Sequence, residues 1–258
     1  MRRNGEKLLI VNADDANLTP GINRAILKAH DEGIVSSTTF LINLPVSSMT
    51  VRSFQKRKKL GIGLHLNVTL GRPAAGPGRV PTLVDPQGCF RKRADQVSRL
   101  PSAGDLAREY EAQITLFRKC FSRMPTHLDT HHQLHDNPRF LHAVVRLARR
   151  WKLPMRRSGL WKEGDTPRGL VSSRTWLGDL SPAGFWRKEK LLKQLRNLRP
   201  GVSELMCHPG KADLRLRRLS SFTEGREAEL KVFSDPGMRK YLEGFRVRLT
   251  HFGMWYNW

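Results

Sequence analysis

The sequence predicts an α/β fold with largely parallel strands. Three observations carry this expectation. Short apolar runs of strand length recur along the chain, Leu8-Leu9-Ile10-Val11 among them. Segments with apolar residues at helical spacing lie between them. Strand and helix alternate along most of the chain, the order of repeated βαβ units. That order suits an open sheet or one closed into a barrel, and in both the chemistry belongs at the carboxyl ends of the strands.

The first strand, 8–11, ends in Asn12-Ala13-Asp14-Asp15, where it gives way to a loop. Thr19-Pro20 supplies a cap and a first-turn proline for a helix over 21–32, with Ile22, Ala25, Ile26 and Ala29 on one face and Gly33 as its stop. The β-rich run 37–42 is the second strand and 62–68 the third. Residues 71–104 are rich in Pro and Gly and lack periodicity, which predicts a long functional loop. Asp105 caps a helix carrying Leu106, Tyr110, Ile114, Phe117 and Phe121. Pro125 ends it, and HLDTHHQLH at 127–135 lies where the next strand belongs. Asn137-Pro138 opens a helix with Leu141, Val144, Val145 and Ala148 inward. Beyond Trp151 the pattern predicts strands at 153–156, 202–207 and 245–249, and helices at 185–198, 222–232 and 236–242. With no repeat, low-complexity tract or linker, one domain over 1–258 is expected.

Composition narrows the function classes. No apolar run approaches the roughly 20 residues that span a bilayer. Leu8–Val11 is too short for a signal-peptide core, so a cytoplasmic protein is expected. Three cysteines without CxxC spacing argue against a disulfide framework and a thiolate zinc site. Lys and Arg number 46 against 23 Asp and Glu, a net charge of +23 that favours anionic partners or substrates. The clusters at 56–59, Arg149-Arg150 and Arg156-Arg157 are not interleaved with aromatics, so nucleic acid is a disfavoured partner. A homo-oligomer is left open.

Ionisable residues gather where the strands end: Asp14 and Asp15, His65 with Asn67, Asp129 with His131, and His208. Strand alternation puts Asp129 and His131 on one face and turns His132 to the other. Cys207 and His208 are neighbours and diverge, which argues against a Cys–His nucleophilic pair and for a core Cys207. One carboxylate and two imidazoles suit a divalent ion such as zinc. A second carboxylate as base and a further His as acid complete the parts of metal-assisted hydrolysis.

The segments LLIVNADD at 8–15, TPGINRAILKAHDEGIVSSTTFLIN at 19–43, GIGLHLNVTLG at 61–71, PTHLDTHHQLH at 125–135 and ELMCHPG at 204–210 together resemble the YdjC-like family, which includes the chitooligosaccharide (diacetylchitobiose) deacetylases. The resemblance implies a distorted TIM-like (β/α) barrel and one divalent ion, Mg2+ or Zn2+. The ion would be held by Asp15, His65 and His131. It implies removal of an N-acetyl group from an acetylated amino sugar, with Asp14 as base and His208 as acid or transition-state stabiliser. Asp129 would orient an imidazole, and Asn67 and His132 would support the site or meet substrate. The chain departs from the family at Ala16-Asn17, where Phe-Gly is usual, and at Gln133, where a third consecutive His is usual. Both changes bear on substrate choice. The aromatic tail, 249–258, is expected to close the barrel or to pack on a sugar. Two other readings compete: a metal-dependent hydrolase of a phosphate or other ester, and a basic nucleic-acid or polyanion-binding protein.

Overall fold

The first strand is longer than its apolar run. In the computed structural model, which describes residues 5–91, 101–178 and 184–257, β1 spans Lys7–Ala16. Chain contacts divide the protein into two compact units. The first holds Met1–Thr39, Lys56–Gly61 and Ser173–Trp258; the second holds Phe40–Gln55 and Ile62–Ser172.

The first unit is built on β1. Its residues 7–13 pair in parallel with β6 (Gly201–Cys207), from Lys7↔Gly201 to Ala13↔Cys207. Residues 7–10 also pair in parallel with β7 (Val247–Thr250). β2 (Ser37–Phe40) lies along β1, and β5 (Thr175–Leu177) runs parallel to β6. Side chains tie the strands further: Thr38 Oγ1 donates to the Ala13 carbonyl at 2.6 Å and Ser36 Oγ to the Thr250 carbonyl at 2.5 Å.

α1 (Pro20–Asp31) begins as its sequence dictates. Thr19 accepts from the Ile22 amide, and Ile22, Ala25, Ile26 and Ala29 form the buried face. Gly33 follows its C-cap, Glu32, and is required by packing: a Cβ there would stand 1.8 Å from the Phe233 carbonyl oxygen. α5 (Lys188–Arg196), α6 (Leu214–Leu219), α7 (Glu224–Phe233) and α8 (Gly237–Gly244) complete the unit. Of the aromatic tail, Phe252 joins Leu8, Ile10 and Val202 in a buried cluster, with Met254 packed against it.

In the second unit, β3 (Gly61–Leu66) and β4 (Leu128–Thr130) are parallel, with His65 opposite Asp129. The strand expected at 153–156 reduces to a parallel bridge between Leu128 and Met155. Gly63 is required by packing, since a Cβ would meet the buried His127 ring at 2.3 Å. α2 (Ser48–Gln55), α3 (Ala103–Phe121) and α4 (Pro138–Trp151) form the helical side. Phe54 packs edge-on against Phe40, as does Phe121, and Phe117 stacks on Phe121 at 4.4 Å.

The cap of α3 is Ser102, not Asp105; the Ser102 side chain accepts from the Asp105 amide. Asp105 instead accepts from the Thr82 amide and hydroxyl at 2.8 and 2.7 Å. Four residues along, Glu109 accepts from the amides of Ala74 and Ala75, both at 2.9 Å. The two carboxylates thus hold the Pro/Gly-rich loop against α3, and its backbone includes short 3-10 turns at Pro77–Arg79 and Pro81–Leu83. Residues 92–100 of the expected loop lie outside the described residues. α4 buries Phe140, Val144, Leu147 and Ala148, a face rotated slightly from the expected one because Leu141 and Val145 are half-buried. α2, β5 and α6 are additional to the expected elements. Each is short, and α2 and α6 bury only one or two residues.

Candidate functional site

In the first unit the parallel register places the candidate residues together. Ala13 is opposite Cys207, so Asp14 and His208 are the next residues along two adjacent strands. The His208 Nε2 lies 4.0 Å from Asp14 Oδ2. On its other oxygen Asp14 accepts from Asn12 Nδ2 at 2.8 Å. The strand does not give way to a loop at Asp14, as its sequence suggests, but runs on to Ala16. What changes there is the backbone: Asp15 has φ 68° and Asn17 has φ 76°. Left-handed residues other than glycine are uncommon and favour Asp and Asn. The turn breaks strand alternation between the adjacent carboxylates. Such strain is found preferentially at functional positions.

Asp15 Oδ2 accepts from Arg226 Nη2 at 2.6 Å, and both side chains are buried. The Arg226 Nε donates to the Phe222 carbonyl, and the guanidinium lies over the Phe222 ring. Phe222 in turn meets the His208 ring edge-on at 5.6 Å between centroids. Glu229, one turn along α7, accepts from the amides of His208 at 2.5 Å and Trp186 at 3.1 Å. It fixes the backbone on which the His208 imidazole stands. Burial pushes the Glu229 carboxyl up to about 7, with Asp14 adding to the rise and the two amides and Arg226 opposing it.

That shift gives a pH prediction. A carboxyl whose folded pKa is raised favours the fold below its unfolded value, 4.5, and loses that contribution as pH climbs through about 7. The loss amounts to about 3 kcal/mol over that window. Glu229→Gln is expected to flatten this part of the stability profile, read from urea unfolding at several pH values. An unchanged slope would contradict it.

In the second unit, His65 Nδ1 donates to Asp129 Oδ1 at 2.6 Å. The other Asp129 oxygen meets Arg156 Nη2 at 3.1 Å, and all three side chains are buried. Asp129 therefore orients the imidazole of His65; His131, which alternation expects on the same face as Asp129, lies beyond the strand. The physical reason is that β4 stops at Thr130 and His131 opens a 3-10 turn (His131–Asp136). Thr69 orients His131 instead: its hydroxyl oxygen lies 2.7 Å from His131 Nδ1. The Thr69 hydroxyl donates to Asn67 Oδ1, which also accepts from the amides of Thr69 and Leu70. Asn67 thus shapes the loop that carries Thr69. The His65 and His131 ring centroids are 5.5 Å apart. His132 has φ 57° and is exposed, with its ring stacked on His131 at 3.8 Å. Gln133 is also left-handed, φ 53°, and its Oε1 accepts from Arg156 Nη1 at 3.4 Å.

Thr69, Arg156, Arg226 and Glu229 were not singled out as site residues in the sequence. Arg156-Arg157 had read as a surface cluster, yet both are buried: Arg156 on Asp129, Arg157 on the carbonyls of Trp161, Lys162 and Asp165. Cys207 is buried in β6, as expected of a core residue.

The family profile described as YdjC-like protein matches residues 8–244. The chain belongs to this family. Two YdjC-like relatives carry the name carbohydrate deacetylase. The one from Thermoanaerobacter pseudethanolicus is 31% identical over 250 residues, covering 96% of this chain and 99% of its own. The one from Halalkalibacterium halodurans is 38% identical over 236 residues, covering 88% and 94%. The chain is also similar to the crystal structure of an Enterococcus faecalis protein provisionally named for cellobiose-phosphate cleavage. That likeness has a TM-score of 0.87 and 28% identity over 97% of this chain and 99% of the other. The fold class read from the sequence holds: α/β with largely parallel strands, of the distorted TIM-like (β/α) barrel class. No helix among the described residues is long and apolar enough to cross a membrane.

Proposed function

We propose that this carbohydrate deacetylase is metal-dependent and removes the N-acetyl group of an acetylated amino sugar. The observation that carries the metal reading is the pair His65 and His131. Each has its Nδ1 held by an oxygen, of Asp129 and of Thr69, which fixes the orientation of the ring. That is how metal-ligating imidazoles are usually fixed. A donor set of two imidazoles and one carboxylate suits Zn2+ or a similar dication better than Mg2+, which prefers oxygen throughout. The donor types suit the group, and the proposed ligands are Asp15, His65 and His131. An ion there supplies Lewis-acid activation of water and of the acetamide carbonyl.

The protein's own groups move the protons. Asp14, held by Asn12 and 4.0 Å from His208, is the proposed base that takes a proton from the attacking water. The C–N bond of the tetrahedral adduct then breaks. His208, half-exposed beside Asp14 and seated by Glu229, gives a proton to the leaving amine, releasing acetate and the free amino sugar. Arg226 donates to the Asp15 carboxylate and holds it in place. Action in the cytoplasm is supported by three cysteines, none in a disulfide.

The test is acetate release from a panel of acetylated amino sugars after chelation and after add-back of Zn2+ or Mg2+. Loss on chelation and recovery on add-back are expected. Phosphate release from phosphorylated sugars without acetate release would replace the reading with the ester-hydrolase one.

A further inference from the structure

The deacetylase reading leaves the +23 charge unused, and part of that charge is gathered in one place. Along α4, Arg139, His142, Arg146 and Arg149 recur at spacings of three and four residues, so they share one helix face. All four are exposed, opposite the face that buries Phe140, Val144 and Leu147. Between this stripe and α3 runs a groove of about 380 Å³. Small side chains at Ala103, Ala107 and Ala143 leave its floor open, and Arg108 stands on the far wall.

The groove carries five arginines and one carboxylate, Glu111. That carboxylate is already engaged by Arg150 Nε at 3.2 Å and Trp151 Nε1 at 2.9 Å. Backbone carbonyls steady the stripe: Arg149 donates to Arg168 and Arg139 to Pro101. Like charges at this spacing destabilise a helix, which a bound anion would reverse. The stripe from Arg139 to Arg149 is about 15 Å long at 1.5 Å per residue, longer than one phosphate. Guanidinium forks match phosphate oxygens two at a time.

We propose that the α3–α4 groove binds an oligophosphate, a chain of phosphates linked as anhydrides or diesters. The ligand lies along the α4 stripe, with Arg146 and Arg149 as its main contacts. This site uses none of the residues assigned to deacetylation.

The test uses the full chain and two probes: tripolyphosphate by calorimetry, and a labelled oligothymidylate by fluorescence anisotropy over a salt series. The double variant Arg146→Ala/Arg149→Ala is compared with Lys58→Ala/Lys59→Ala, which removes equal charge from another exposed cluster. The groove variant is expected to bind at least one probe about tenfold more weakly or worse, and to lower the salt slope by about two. Its acetate release and thermal melting should stay unchanged. The probe bound more tightly identifies anhydride or diester as the natural linkage. Binding of neither probe, or equal weakening in the lysine variant, would overturn the proposal.

Discussion

His131→Ala is expected to release metal and to lower acetate release by about three orders of magnitude or more, since it removes a proposed ligand and its charge stabilisation together. Metal content by plasma mass spectrometry and acetate release on the same sample check it. Thr69→Val makes the expectation graded. It keeps the imidazole and removes the hydroxyl oxygen 2.7 Å from Nδ1. Loss of such a partner weakens metal binding by about 10–100-fold, so added ion should restore much of the activity. His132→Ala supplies the contrast: its ring is exposed and stacks on His131 from outside the proposed ligand set, so a small change is expected. Retention of metal and activity in His131→Ala would remove this residue from the ligand set.

The residues that anchor this fold were legible because each acts locally or by period. Thr19-Pro20 caps α1 within three residues, and Ile22 to Ala29 declare their face by spacing alone. Asp14, His65, Asp129 and His208 were legible as candidates because buried strands rarely end in ionisable groups without cause. Their partners were not legible. Arg226 is 211 residues from the Asp15 it holds, and Arg156 reads as half of a basic dipeptide until β4 and the bridge at Met155 bring it onto Asp129. Alternation does not reach His131, because it assumes the strand persists and β4 is only three residues long. Two left-handed residues, His132 and Gln133, then redirect the chain. The same limit applies at Asp15, whose φ of 68° no periodic pattern announces.

Arg156→Met should carry the largest stability cost of any single change at these residues. Asp129 is buried between two partners, His65 on one oxygen and Arg156 on the other. The guanidinium is itself wholly buried, so methionine fills much of its volume without its charge. What remains is a buried carboxylate without its guanidinium partner, and breaking one side of such a pair costs about 3–5 kcal/mol. Urea unfolding measures it. Adding Asp129→Asn should return a large part of the loss, because a neutral amide no longer demands the missing charge. The two changes should be strongly non-additive, as residues in contact are. The double variant need not recover function: asparagine cannot hold the His65 Nδ1 proton as a carboxylate does, so metal affinity is expected to stay reduced. If Arg156→Met costs less than about 1 kcal/mol, the pair is not the electrostatic anchor of His65.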